Sequence, residues 1–228
     1  MGIFNLDFLI EHLSLGDFPT CVETGTGLGY STGIAQRVFD KVYTIEIDEA
    51  LYQDAKIMFS ETSNVTCIQG DSSLELEKLL PSLETPSVFF LDAHWSGDSR
   101  VDWSSSSWQG YSKATSHRRF SAASEADELP SSREQTPLLE EITSIMLFPQ
   151  RCVIYIDDLD KFDSDGSGLT DKGFKGENWS HLDWNAILEV CKPRLKGQYY
   201  KGNEQALLIL EALYIEEPQK SIETSTEP

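Results

Sequence analysis

The stretch CVETGTGLGYSTGIA places Glu23, Gly25, Gly27 and Gly29 at alternate positions, after an apolar run and before a helical pattern of Ile34, Ala35 and Val38. Glycines spaced this way let a ligand approach the backbone closely. The dinucleotide fingerprint needs a third glycine three residues beyond the second, and counted from Gly27 that residue is Tyr30. The Gly-x-Gly-x-Gly spacing argues against a pyrophosphate cofactor. A tight strand-to-helix turn without a ligand is the plainer alternative, and Glu46 weighs against it. In VYTIEID this acid closes a second strand pattern twenty-three residues after Glu23, a spacing that suits a carboxylate gripping a ribose diol. Asp48 fits the N-cap of the next helix. IQGDSS sets Gly70, Asp71 and Ser72 at a third strand end.

Two more strand patterns end in acid. FFLDAHW closes the fourth with Asp92, and CVIYIDDLD closes the fifth with Asp157 and Asp158. Clustered like charges repel unless something neutralises them. Hard oxygen donors in this number suit Mg²⁺, with waters and substrate oxygens completing its shell. Helix capping and solvation are the other fates open to such acids. His94, two residues after Asp92, has the chemistry of a general base, although a histidine with no catalytic task fits the position as well. His12, His117 and His181 have no supporting neighbours. DSDGSG at 163–168 opens like a calcium loop, but the twelfth residue from Asp163 is Phe174 where glutamate is required. It reads as a polar turn.

The elements that must position these residues alternate between short β-rich runs and helical stretches, which predicts a parallel sheet covered by helices. Strands are expected over 20–23, 41–46, 65–69, 87–92 and 152–157, as apolar runs buried on both faces. Ser72 with Glu75 fits a capping box. Thr136 and Pro137 fit an N-cap and a first-turn proline for PLLEEITSIML. Ser180 with Asp183 resembles a capping box opening a helix that Pro193 stops. QYYKG and QALLILEAL then flank a polar turn at Gly202 and Asn203, the pattern of an antiparallel hairpin.

Taken in order, ETGTGLG, TIEID, IQGDS and FFLDAHWSG resemble the class I S-adenosylmethionine-dependent methyltransferases, over about residues 18–213. The resemblance implies a Rossmann-like, doubly wound α/β sheet of seven strands, mostly parallel with a C-terminal antiparallel hairpin. It also implies a cofactor site. Gly25, Thr26, Gly27 and Gly29 would approach the methionine part, Glu23 its amino group, and Glu46 with Ile47 the ribose. Gly70, Asp71 and Ser72 would lie near the adenine, and Asp92 beside the reactive methyl group. FLDAHW followed by TPLLEEI and VIYIDD is similar to the metal-dependent O-methyltransferases of the catechol and macrolide-sugar type, and to bacterial methyltransferase-like proteins of unassigned substrate. Carried over by position, Mg²⁺ would sit on Asp92, Asp157 and Asp158; the catalytic candidates are Asp92 and His94. Against the catechol-type pattern, Asp-Ala-His-Trp has one extra residue and Asp158 stands where asparagine is usual.

The chain has 228 residues, with 18 Lys+Arg against 38 Asp+Glu and a net charge of −20. That suits one domain, 1–215, with a core of its own, and it opposes phosphate backbones and anionic lipid. The expected partner is a small-molecule substrate, with no nucleic acid and no membrane; oligomeric state, a homodimer included, is left open. No apolar run approaches the roughly 20 residues that span a bilayer. The N-terminus lacks a basic secretory n-region, and Leu6 stands where myristoylation wants Ser or Thr. Four scattered cysteines suggest neither disulfides nor zinc, so a cytoplasmic location is expected. Residues 98–135 are serine-rich, with Trp103, Trp108, Tyr111 and Phe120 interleaved, and read as an insertion or lid. Residues 216–228 read as a disordered acidic tail. The function expected is methyl transfer from S-adenosylmethionine to a small hydroxylated substrate with Mg²⁺ assistance. The alternative is a non-catalytic cofactor-binding or interaction protein on the same fold. A nicotinamide oxidoreductase is disfavoured by the glycine spacing.

Overall fold

The computed structural model of the chain describes residues 4–94, 136–161, 179–195, 197, 199–202 and 204–213. The segments 98–135 and 216–228 and the polar turn at 163–168 lie outside the described residues, as does the domain boundary at 215.

Five strands carry the apolar runs read from the sequence: β1 (Thr20–Thr24), β2 (Lys41–Glu46), β3 (Val65–Gln69), β4 (Ser87–Leu91) and β5 (Cys152–Ile156). The hairpin adds β6 (Tyr199–Lys201) and β7 (Ala206–Leu210), closed by Gly202 N donating to Gln205 O at 2.8 Å. The sheet order is β3-β2-β1-β4-β5-β7-β6, with β7 antiparallel to both neighbours and the other pairings parallel. This is the seven-stranded, Rossmann-like arrangement that the resemblance implies. The order turns back between β1 and β4, and at such a switch point diverging connections leave a crevice beyond the strand ends.

Side chains of period two divide the core between two faces. Cys21, Val88, Phe90, Val153, Tyr155 and Leu207 face α1 (Leu6–His12) and α2 (Tyr30–Ala35). Val22, Phe89, Ile154 and Leu208 face α4 (Ser72–Leu79), α5 (Leu138–Ile145) and α6 (Trp184–Leu195). The sixth described α-helix, α3 (Glu49–Met58), packs on β2 and β3. Burying each such side chain contributes about 1.5–3 kcal/mol. The segment before α1 is tied in by Phe4, whose ring meets Phe90 edge-on at 5.1 Å and lies 5.4 Å from Tyr155. Its neighbour's amide, Asn5 N, donates to the Tyr155 hydroxyl at 3.0 Å.

Three helix starts differ from the sequence reading. Asp71, not Ser72, caps α4, its Oδ1 accepting from Ser73 N at 2.9 Å. A carboxylate already placed at the strand end reaches that amide first. α5 begins after Pro137 with no side-chain cap, and Thr136 O instead meets His181 Nε2 at 3.1 Å. α6 is capped by Asp183, which accepts from Asn185 N at 2.9 Å, while Ser180 lies in the preceding turn. Pro193 does not stop α6, which runs on to Leu195. The next residue holds the last turn in place: buried Arg194 donates to the carbonyls of Ile145, Gln150 and Glu211 at 3.0, 2.6 and 2.8 Å. Tertiary bonds of a charged donor outweigh the single amide that proline lacks.

All four cysteines are free. Burial pushes the Cys152 and Cys191 thiols up to about 12, so both act as small hydrophobes rather than nucleophiles. No described helix is long and apolar enough to cross a membrane.

Candidate active site

Parallel register carries three strand ends to one level. Thr24 pairs with Leu91 and Leu91 with Ile156, so the next residues of the three chains, Gly25, Asp92 and Asp157, leave the sheet side by side. The ladder runs one bond further, with Asp92 N donating to Thr24 O at 3.2 Å and Asp157 N to Leu91 O at 3.3 Å. The glycine turn leaves β1 here. Gly25, Gly27 and Gly29 have φ of +79°, +53° and +76°, the left-handed region that glycine enters without a steric cost. Gly25 is also closely packed: a Cβ there would lie 2.6 Å from Asp92 O. The glycine turn and the acid-bearing end of β4 therefore touch.

Beneath the turn, Glu23 is 1% exposed, and its Oε2 accepts from the Thr32 and Thr44 hydroxyls. Burial lifts its pKa to about 7, against the lowering effect of those two bonds. Through those two hydroxyls Glu23 joins β1, β2 and α2 beneath the glycine turn. Glu46 lies higher. Its Oε2 accepts from Gly27 N at 2.8 Å and its Oε1 from Asp48 N at 2.9 Å, so it fixes the middle of the glycine turn. Burial, the largest influence, raises its pKa. Asp48 caps α3 as expected, accepting from Ala50 N and Leu51 N. Ile47 is exposed, and Gly70 N donates to Glu46 O at 2.9 Å, bringing the ends of β2 and β3 together. Thr26 is buried, its hydroxyl 2.5 Å from that of Thr44.

Beyond β4 and β5 lies a small cavity of about 10 Å³ bordered by Asp92, His94, Glu141, Asp157, Asp158 and Trp179. The three predicted acids do not share it as one ligand set. Ligand atoms of Asp92, His94 and Asp158 lie within 4.8 Å of one another, and Asp157 is not in that group. Its Oδ1 accepts instead from Gln205 Nε2 at 3.0 Å, and Gln205 Oε1 accepts from the Tyr155 hydroxyl at 2.7 Å. Asp158 takes φ of +57°, the one described non-glycine residue with a left-handed backbone. The distance from His94 Nδ1 is 3.6 Å to Asp92 Oδ1 and 3.4 Å to Asp158 Oδ2. Burial lowers the His94 pKa to about 4, although Asp158 pulls the other way. Burial, then Asp157 and Asp158, hold the Asp92 carboxyl well above the usual range. Burial and Asp158 lift Asp157 to about 6. Burial thus keeps His94 neutral, with Asp158 the neighbour that favours its protonated form.

Sequence reasoning missed Glu141, Lys161, Trp179 and Gln205. Glu141 is fully buried on α5, with Oε2 accepting from the Thr24 hydroxyl at 3.3 Å and Oε1 lacking a hydrogen bond. Burial lifts its pKa to about 7, opposed by hydrogen bonds from Ser72 and Thr24. Its signal was present: Leu138, Glu141, Ile142 and Ile145 follow helical spacing, so one acid falls on an apolar stripe. Lys161, Trp179 and Gln205 are brought in by the loop after β5, the approach to α6 and the terminal hairpin, and no local pattern marks them.

No family model matches the chain. The protein-L-isoaspartate O-methyltransferase of Petrotoga mobilis is 30% identical over 92 residues, 36% of this chain and 43% of that protein. The protein of the same name from Roseobacter denitrificans is 31% identical over 75 residues, 32% of this chain and 35% of that one. The chain thus spans less than half the length of the curated relatives it matches. Among solved structures, a SAM-dependent methyltransferase from Aquifex aeolicus aligns with a TM-score of 0.48 at 11% identity, over 92% of this chain and 91% of that one. An rRNA methylase from Streptococcus thermophilus aligns with a TM-score of 0.43 at 17% identity, over 91% and 93% of the two chains.

Proposed function

We propose that this chain transfers the methyl group of S-adenosylmethionine to a hydroxyl of a small molecule. The observation that carries the reading is the contact between the glycine turn and the end of β4, where Gly25 leaves no room for a side chain against Asp92 O. It brings the glycine turn, read as the donor cradle, beside the acid-lined ends of β4 and β5. Curated relatives named as O-methyltransferases support the same chemistry. The cavity is bordered by Asp92, Asp157, Asp158 and Glu141, groups that exchange hydrogen bonds with a hydroxyl. That favours a hydroxylated acceptor.

In this mechanism Gly25 to Gly29 and Glu46 hold the donor, and the cavity aligns the acceptor oxygen with the sulfonium methyl. Neutral His94 accepts the hydroxyl proton. The oxygen–methyl bond forms as the sulfur–methyl bond breaks, and S-adenosylhomocysteine leaves as a neutral thioether. Asp158, 3.4 Å from His94 Nδ1, favours the imidazolium that forms. A Mg²⁺ ion on Asp92, Asp157 and Asp158 does not fit this arrangement. Asp157 is held by Gln205 outside the close group, and the ammonium of Lys161 stands 3.3 Å from Asp158 Oδ2.

Calorimetry with S-adenosylhomocysteine tests the donor site, and methyl transfer to a panel of small hydroxylated molecules tests the acceptor. Binding at one site per chain with turnover of at least one acceptor is expected. The absence of S-adenosylhomocysteine binding refutes the reading.

A further inference from the structure

Asp158, on the cavity wall, already faces a buried positive charge. Lys161 is 6% exposed and ends the single 3₁₀ turn Leu159–Lys161 after β5. Its Nζ is 3.3 Å from Asp158 Oδ2, the oxygen that faces His94 Nδ1 at 3.4 Å. On another side it lies 5.1 Å from the centre of the Trp179 ring, which is itself 5.5 Å from the His94 ring. The backbone fixes this pairing. Lys161 N donates to Asp158 O at 2.9 Å, and the left-handed φ of Asp158 bends the chain so that the two side chains meet three residues apart.

A buried ammonium is costly unless an anion faces it. Here the anion is Asp158, and the face of Trp179 adds a cation–π attraction. The same oxygen cannot also serve a divalent ion without bringing two cations into contact, which like-charge repulsion opposes. Lys161, Asp158, His94 and Asp92 follow one another in a buried row, the last three on the cavity wall.

We propose that the Lys161 ammonium is the resident cation of this acid cluster, holding Asp158 so that no divalent ion takes it as a ligand. The proposal stands independently of the methyltransferase reading. Lys161 is an electrostatic residue beside the cavity wall that exchanges no atom or electron with a substrate.

The test titrates Mn²⁺ into the full chain, followed by electron paramagnetic resonance, with S-adenosylhomocysteine calorimetry on the same samples. Wild type and Lys161→Arg should show no Mn²⁺ site in the cavity. Lys161→Met should gain one site at least about tenfold tighter than any in wild type, a gain of about 1.4 kcal/mol. Adding Asp158→Asn to that variant should abolish the site. Lys161→Gln is run beside Lys161→Met so that the comparison survives if one of them does not fold. Wild-type Mn²⁺ binding that Asp158→Asn removes overturns the proposal. So does a folded Lys161→Met or Lys161→Gln that gains no site. If the Mn²⁺ pattern holds but no sample binds S-adenosylhomocysteine, the methyltransferase reading fails and Lys161 remains the resident cation.

Discussion

Replacing Gly25 by alanine perturbs the one point where the glycine turn and the acid-bearing strand end meet. Two costs follow from the structure. At φ +79° an L side chain is strained, by about 1–2 kcal/mol. The added Cβ would stand 2.6 Å from Asp92 O, where an ordinary contact begins at 3.4 Å. Relieving that overlap costs about 1–3 kcal/mol, the range for forcing extra carbon into a packed region. The total is about 2–5 kcal/mol. It divides between a turn pushed away from the donor and strand ends pushed apart. Affinity for S-adenosylhomocysteine should therefore fall at least about tenfold, equivalent to 1.4 kcal/mol, and the urea midpoint by about 1 M at the slope usual for small domains. Gly33→Ala is the control. Gly33 lies inside α2 with no atom within 4 Å of the added Cβ, so that variant should gain about 0.5–1 kcal/mol and bind as wild type does. If Gly25→Ala matches wild type in both calorimetry and urea unfolding, the contact is not what shapes the site.

Three further outcomes are expected. Glu141 is pushed up to about 7 from its ordinary 4.5, so the folded state keeps the proton after the unfolded state has lost it. Stability then falls as pH rises between those values, by about 3 kcal/mol at 1.36 kcal/mol per unit. Glu141→Gln should remove that share of the decline, leaving the parts due to Glu23, Glu46, Asp92 and Asp157, which are raised in the same direction; parallel urea midpoints for wild type and variant from pH 5 to 8 would contradict this. Tyr155→Phe breaks the chain from Asn5 N through Tyr155 and Gln205 to Asp157. It should cost about 1–2 kcal/mol in urea unfolding and lower turnover more than S-adenosylhomocysteine affinity, whereas an equal loss in both would place Asp157 outside the acceptor site. Glu46→Ala removes the carboxylate that holds Gly27 N. It should weaken S-adenosylhomocysteine binding by about tenfold or more in a protein that still unfolds cooperatively, and unchanged calorimetric affinity would take Glu46 out of the donor site.

By itself the sequence determined the elements and the level at which the acids sit. Apolar runs of strand length, each closing on a polar or acidic residue, fix β1 to β5 and place Glu46, Asp92, Asp157 and Asp158 at strand ends. Left-handed glycines after β1 and the cap at Asp48 are equally local, because a backbone angle or a first-turn amide depends on residues a few positions away. Where two local signals competed, the tertiary structure chose. Asp71 took the cap that Ser72 and Glu75 suggested, and the bonds of Arg194 carried α6 past Pro193.

Only the tertiary structure decided which acids act together. Residue types put three carboxylates near one another, but their direction depends on partners far away in the chain: Gln205 turns Asp157 aside, and Lys161 with His94 claims Asp158. Glu141 enters the same cavity from a helix whose stripe marks it only as an oddity. Strand order brings these segments together, and strand order depends on long-range packing that no short window of sequence contains. The charge of a cluster is legible from the residues. Its polarity and its resident cation are not, because they depend on angles and distances set by the whole sheet.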